Sequence, residues 1–183
     1  MRKKIEQILG PQQIIPPFNW SKDVPGKVNC FIWRAKQDRI PSAVTLLSKG
    51  VSVNSTYCSA CISGEENANH ILVECPFAQT IREKLFEWCG IQQASYNSIN
   101  ELLNYAESWG GSLKKRNRFL TICYGLLWNV WKYRNDRVFK AMFINPTTGM
   151  ELIKSMVYFW IKCRGNSGVG SWLEWQTSPF VNL

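Results

Sequence analysis

The stretch YCSACISGEENANHILVECPF, residues 57–77, holds three of the chain's seven cysteines and its only histidine. Two residues separate Cys58 from Cys61, eight separate Cys61 from His70, and four separate His70 from Cys75. A C-x2-C pair is a tight turn that aims two sulfurs at one point. Three thiolates and an imidazole then suit a tetrahedral Zn²⁺. Four protein ligands close the shell and leave no position for water or substrate, so one structural zinc is expected and no catalytic site. Pro76 cannot continue a helix from NHILVEC but can begin the next one. That places Cys75 at a helix N-cap, where the positive end of the dipole favours a thiolate. Cys30, Cys89, Cys123 and Cys163 differ from the cluster: each sits in an apolar helical stretch and reads as a core cysteine.

The rest of the pattern is helical, and the expected fold class is all-α. It reads as a small helical zinc-binding domain followed by a helical bundle with one long helix. Asp23 as cap and Pro25 in the first turn open a helix in which Val28, Phe31, Ile32 and Ala35 share a face, and Pro41 ends it. PSAVTLLSKG is a short second helix closed by Gly50. PFAQTIREKLFEWCG turns Phe77, Ile81, Leu85 and Trp88 to one side, and Ser98 and Glu101 form a capping box for SINELLNYAESW. From Ser112 to about Lys140 runs the long helix, with Phe119, Leu120, Cys123, Leu126, Leu127, Val130 and Trp131 inward. Met150, Ile153, Val157, Trp160 and Ile161 keep helical spacing in a last helix that Gly165 ends. The domain reading is a lead at 1–19, the zinc domain at 20–90, a helical region at 91–165 and a tail at 166–183.

Hydrophobic content of 45% with nine Trp and nine Phe excludes a disordered chain. No apolar run is long enough to cross a membrane, and the start lacks a secretory h-region. The seven cysteines, an odd number, speak against a disulfide framework. They suit an intracellular, reducing compartment: nucleus or cytoplasm, or an organelle.

Two passages together resemble a known family: VPGKVNCFIWRAKQDRIPSAVTLLSKGV and YCSACISGEENANHILVECPFAQTIREKLFEW. The shared features are the VP-K-V--F-WR helix, the R-P-A--L---G turn, the Cys-Cys-His-Cys spacing and the ECPFA continuation. These are similar to the zinc-binding domain of reverse transcriptases of plant non-LTR (LINE-type) retrotransposons, over roughly residues 20–90. WNVWKYRNDRVF also resembles the segment C-terminal to that domain in such elements. The resemblance implies a zinc-stabilised helical module that assists nucleic-acid handling beside a polymerase, with Cys58, Cys61, His70 and Cys75 as ligands. The polymerase does not carry over, because Asp23, Asp38 and Asp136 stand isolated where a two-metal site needs paired carboxylates. Beginning at Met1, the chain is expected to be a detached or host-adopted fragment.

The net charge of +9 is unevenly spread. Residues 1–49 carry +6 and residues 112–140 carry +7, whereas residues 58–75 carry −3 from Glu65, Glu66 and Glu74. A phosphate backbone is bound by cations, so the expected nucleic-acid surface lies away from the metal loop. Its candidates are Lys114, Lys115, Arg116, Arg118, Lys132, Arg134, Arg137 and Lys140 on the long helix, and Lys27, Arg34, Lys36 and Arg39 on the first. Trp33, Trp128 and Trp131 are candidate base-stacking rings. The resemblance implies a slight preference for RNA over DNA, because elements of that family act on their own transcript. The alternative partner is a protein, met by an apolar helical surface around residues 150–164. Loss of metal is expected to loosen residues 24–90 and to spare the long helix.

Overall fold

The computed structural model describes residues 18, 20–165, 168–181 and 183. Apart from Phe18, the lead at 1–19 lies outside this set. Small polar side chains set where most helices begin. Ser42 accepts a hydrogen bond from the Thr45 amide, Ser98 from Glu101, Ser112 from Lys115, Asn145 from Thr148 and Ser171 from Glu174. Each satisfies one donor that the helix itself leaves unpaired. The resulting elements are α1 (Gly26–Ala35), α2 (Ala43–Ser48), a π-helical turn (His70–Glu74), α3 (Pro76–Trp88), α4 (Ile99–Ser108), α5 (Leu113–Lys140), α6 (Pro146–Arg164) and α7 (Trp172–Thr177). The fold is all-α. No strand occurs among the described residues beyond one isolated antiparallel bridge between Tyr57 and Glu65.

Three local expectations are adjusted. Pro25 is the N-cap of α1 and not a first-turn residue, because its ψ of 144° is extended; no side chain caps this helix. α1 stops at Ala35, well before Pro41. Asp38 takes a left-handed φ of 51°, and the Arg39 amide returns to the Arg34 carbonyl at 2.8 Å. That is a Schellman-type closure made by an aspartate where glycine is usual. At α4, Glu101 accepts from the Asn97 amide at 2.9 Å, one residue earlier than a capping box would have it.

α5, about 42 Å long at 1.5 Å per residue, is the axis of the molecule. It packs against α1, α4, α6 and the π turn. Of the residues the spacing turns inward, all but the half-buried Leu120 are buried, and the helix buries a second set as well, Ile122, Tyr124, Asn129 and Tyr133 among them, because other elements cover it on more than one side. Gly125 permits a close crossing with α6: a Cβ there would lie 2.4 Å from Val157 Cγ2. Buried Ile32, Leu72, Ile81, Phe86, Leu102, Phe119, Leu127 and Val157 belong to one core that runs across the junction at residue 90. The tail is docked through α7. Trp175 is 2% exposed, its indole donates to the Lys154 carbonyl, and Trp88 donates to the Trp175 and Gln176 carbonyls. Of the cysteines read as core, Cys89 and Cys123 are buried, whereas Cys30 and Cys163 are exposed on the outer faces of α1 and α6.

Candidate metal centre

The loop carrying Cys58 and Cys61 is folded by its own backbone. The Cys58 amide donates to the Gly64 carbonyl at 2.8 Å, and the Ile62 amide to the Cys58 carbonyl at 2.9 Å, with Ile62 at a φ of 62°. The other two ligands sit at the ends of the π turn. In an α-helix residues five apart point in different directions, so His70 and Cys75 would diverge. The Cys75 amide instead bonds to the His70 carbonyl at 2.8 Å, an i to i+5 bond that widens the turn and stacks the two. Asn67 caps the turn by accepting from the His70 amide at 2.8 Å. Cys75 is the N-cap of α3 and Pro76 its first residue, as the sequence implies.

These elements bring Cys58 Sγ, Cys61 Sγ, Cys75 Sγ and an imidazole nitrogen of His70 within 4.8 Å of one another. The Cys58 and Cys75 sulfurs are 3.8 Å apart, and His70 Nε2 is 3.2 Å from the Cys61 sulfur. A tetrahedron with metal–sulfur bonds of about 2.3 Å has sulfur–sulfur edges of about 3.8 Å, so the donors fit a closed site of that size. Every sulfur also receives a backbone N–H: Cys58 from Ala60 at 3.4 Å, Cys61 from Ser63 and Cys75 from Phe77. Such donors favour thiolates. The other His70 nitrogen, Nδ1, faces the Glu74 carboxylate at 3.9 Å. A carboxylate on that side favours the tautomer that leaves Nε2 free to bind metal. Gly64 lies under the ring: a Cβ there would be 2.4 Å from His70 Cε1 and 2.7 Å from Nδ1.

The protonation pattern agrees with a ligand set. The hydrogen bond with Cys75 holds the Cys58 thiol down to about 4, and the same bond pushes the Cys75 thiol up. Burial opposes ionisation of Cys61, yet hydrogen bonds from Ser63 and His70 bring its pKa down. Burial also opposes a charge on His70, but the Cys61 and Cys58 sulfurs outweigh it and raise its pKa.

The acidic character expected of this loop is corrected at one position. Glu66 is 2% exposed. Its carboxylate accepts from the Ala43 amide at the start of α2 and pairs with Arg134 of α5. Glu65 is exposed and Glu74 partly so. Arg137 reinforces the link, donating to the Ser59 carbonyl and lying over Phe77 and Phe143. The knuckle and the long helix are thus joined, against the expectation that the helix stands apart from the loop.

The candidate cations divide accordingly. Arg118 is 3% exposed and donates to the Pro179 and Gly168 carbonyls, fastening the tail. Arg134 is committed to Glu66, and so neither presents a guanidinium to a phosphate. Arg137 is half-buried at the knuckle, and Lys140 pairs with Asp136. Lys27, Arg34, Arg39, Lys114 and Lys132 are exposed, and Lys36, Lys115 and Arg116 half-exposed. Trp131 is buried against Phe31, Trp128 is half-buried beside it with Lys27 over its ring, and Trp33 is half-buried. Folding adds two cations that lie far away in sequence. Lys22 and Arg164 line one cleft with Lys114 and Arg116. No local pattern marks them, because the first stands alone in a loop and the second at a helix end.

No helix among the described residues is long and apolar enough to cross a membrane. Searches of curated proteins and of solved structures returned no match. Residues 5–81, which include all four candidate ligands, match the model of a family described as zinc-binding in reverse transcriptase.

Proposed function

We propose that this chain is a zinc-stabilised accessory module that binds nucleic acid, with RNA slightly preferred, and that it has no polymerase or other catalytic activity of its own. Its origin in this reading is the region beside the reverse transcriptase of a plant non-LTR retrotransposon, and it works in a reducing intracellular compartment. The observation that carries the proposal is the closed Cys58, Cys61, His70 and Cys75 set inside the family match. Four protein donors leave a metal no open position, which suits a structural role. The three aspartates outside the family's ligand set are engaged locally or stand apart. Asp38 accepts from the Ala68 amide, Asp136 pairs with Lys140, and Asp23 lies in the field of Arg118.

Support for nucleic acid is the +9 charge together with exposed basic residues on α1 and α5. The test is anisotropy titration of zinc-loaded protein with labelled RNA and DNA across a salt series. Binding that weakens linearly in log salt is expected. A second reading, docking of a protein partner, has its own observation: α6 exposes Leu152 and Phe159, which are 50% and 64% accessible. Salt-insensitive capture of a defined partner, abolished by Phe159→Ser, would favour it.

A further inference from the structure

A cleft of about 730 Å³ opens between residues 20–23, the first turns of α5 and the C-terminal end of α6. Lys22, Lys114, Arg116 and Arg164 line it, with Trp20 at its edge. None of these four cations has an ion-pair partner among the described residues, whereas Arg134, Lys140 and Lys154 do. Three basic residues in the first turn of α5, Lys114 to Arg116, also oppose the positive end of the helix dipole. A bound anion relieves that repulsion.

Two acids, Asp23 and Glu107, share the lining. Asp23 is matched electrostatically by Arg118, which leaves the cations in excess. Trp20 is 55% exposed, so a face of its ring is open to a ligand in the cleft. Phe18 meets it at 90° with centroids 5.4 Å apart and stacks in turn on Tyr124, so the ring is supported from the core.

We propose that this cleft seats a single-stranded polynucleotide, with Trp20 stacked on one base and Lys22, Lys114, Arg116 and Arg164 holding the adjacent phosphates. The inference rests on the nucleic-acid reading above and gives it a place and a strand type. Single-strandedness follows from the ring. An indole stacks on a base only where the base face is uncovered, and in a duplex the neighbouring pairs cover it. The cations surround an open trough, which suits a chain of phosphates passing through.

The test uses the zinc-loaded full chain and three labelled probes: a 12-nucleotide oligo(U), a 12-nucleotide oligo(dT) and a 12-base-pair duplex. Both single strands are expected to bind more tightly than the duplex. Trp20→Ala should weaken single-strand binding roughly 5- to 150-fold without changing the salt slope, and Trp20→Phe should retain most of it. The double variant Lys22→Gln/Arg164→Gln should lower the slope of log affinity against log salt by about 1.4, from about 0.7 per lost phosphate contact. It carries the test if circular dichroism shows that Trp20→Ala does not fold. A Trp20 effect on oligo(U) alone supports an RNA seat, and an effect on both supports a seat indifferent to the sugar. Wild-type affinity in Trp20→Ala with an unchanged slope in the double variant overturns the cleft but leaves the nucleic-acid reading standing, as does a preference for duplex. Failure of the wild type to bind any probe at low salt overturns both.

Discussion

Glu66 and Arg134, 68 residues apart in sequence, form an ion pair buried between the knuckle loop and the long helix. Their side chains are 3% and 9% exposed, so neither charge is offset by water. Removing one partner of such a pair typically costs about 3–5 kcal/mol, because the other is left buried and uncompensated. Glu66→Ala and Arg134→Ala are each expected to destabilise the zinc-loaded protein on that scale in urea unfolding. Glu65→Ala, at an exposed neighbour, should change stability by no more than about 0.5 kcal/mol. Equal effects at 65 and 66 would refute the assignment.

Gly64 holds the His70 ring by having no side chain. Gly64→Ala places a methyl 2.4 Å from Cε1, a distance the ring relieves only by swinging away from the three sulfurs. A weakening of metal affinity of about 10- to 100-fold, the scale seen when a ligand's supporting contact is lost, is expected in competition with a chromophoric chelator. Gly26→Ala, where nothing lies within 4 Å, is the matched control.

Metal affinity should rise with pH through the neutral range. Binding displaces the proton that Cys75 holds and requires a neutral His70, whose pKa lies above the ordinary 6.5. In the metal-free fold, the raised His70 value contributes stability below pH 6.5 that is lost as pH rises through the raised pKa. The stability gap between loaded and metal-free protein therefore widens on going from about pH 6 to about pH 8. Thermal unfolding of both forms checks this, and a constant gap would count against it.

Chelation should also reach the long helix. Cys58, Cys75 and the π turn pack into the same core as Val130 and Tyr133, and Glu66 and Ser59 hold Arg134 and Arg137. Hydrogen exchange in the C-terminal half of α5 is expected to accelerate together with residues 54–75 when a bound metal is removed. Acceleration confined to the loop would restore the picture of a helix independent of it.

Gly125→Ala sets two effects against each other. Alanine gains about 1 kcal/mol of helix propensity over glycine, but its methyl meets Val157 at 2.4 Å. Overpacking of that kind costs about 1–3 kcal/mol. Net destabilisation is expected, and the companion change Val157→Ala in the same chain should recover part of it.

The amino-acid sequence by itself determined the features that depend on neighbours along the chain. Ser98 and Ser112 mark helix starts because a cap reaches only two or three residues, whereas Asn145–Gly149, which reads as a break, caps and opens α6 from Pro146. Ile99, Leu102, Leu103 and Ala106 are all buried because period alone puts them on one face. The four candidate ligands were legible for a related reason: they lie within 18 consecutive residues, Cys58 to Cys75, and Pro76 fixes where the last one sits. Local pattern did not show that a π turn, not an α turn, aligns His70 with Cys75. A single extra residue per turn has no compositional mark.

Only the tertiary structure decided which charges remain free. Arg118 and Arg134 look the same in sequence as Lys114 and Arg116, since all four belong to one basic helix. The difference comes from carbonyls at Gly168 and Pro179 and a carboxylate at Glu66, brought in by other elements. Lys22 and Arg164 join Lys114 and Arg116 by the converse route, through the packing of α6 and residues 20–23 beside α5. A charge's fate is set by the dielectric and the partners around it, and both are products of contacts between distant segments.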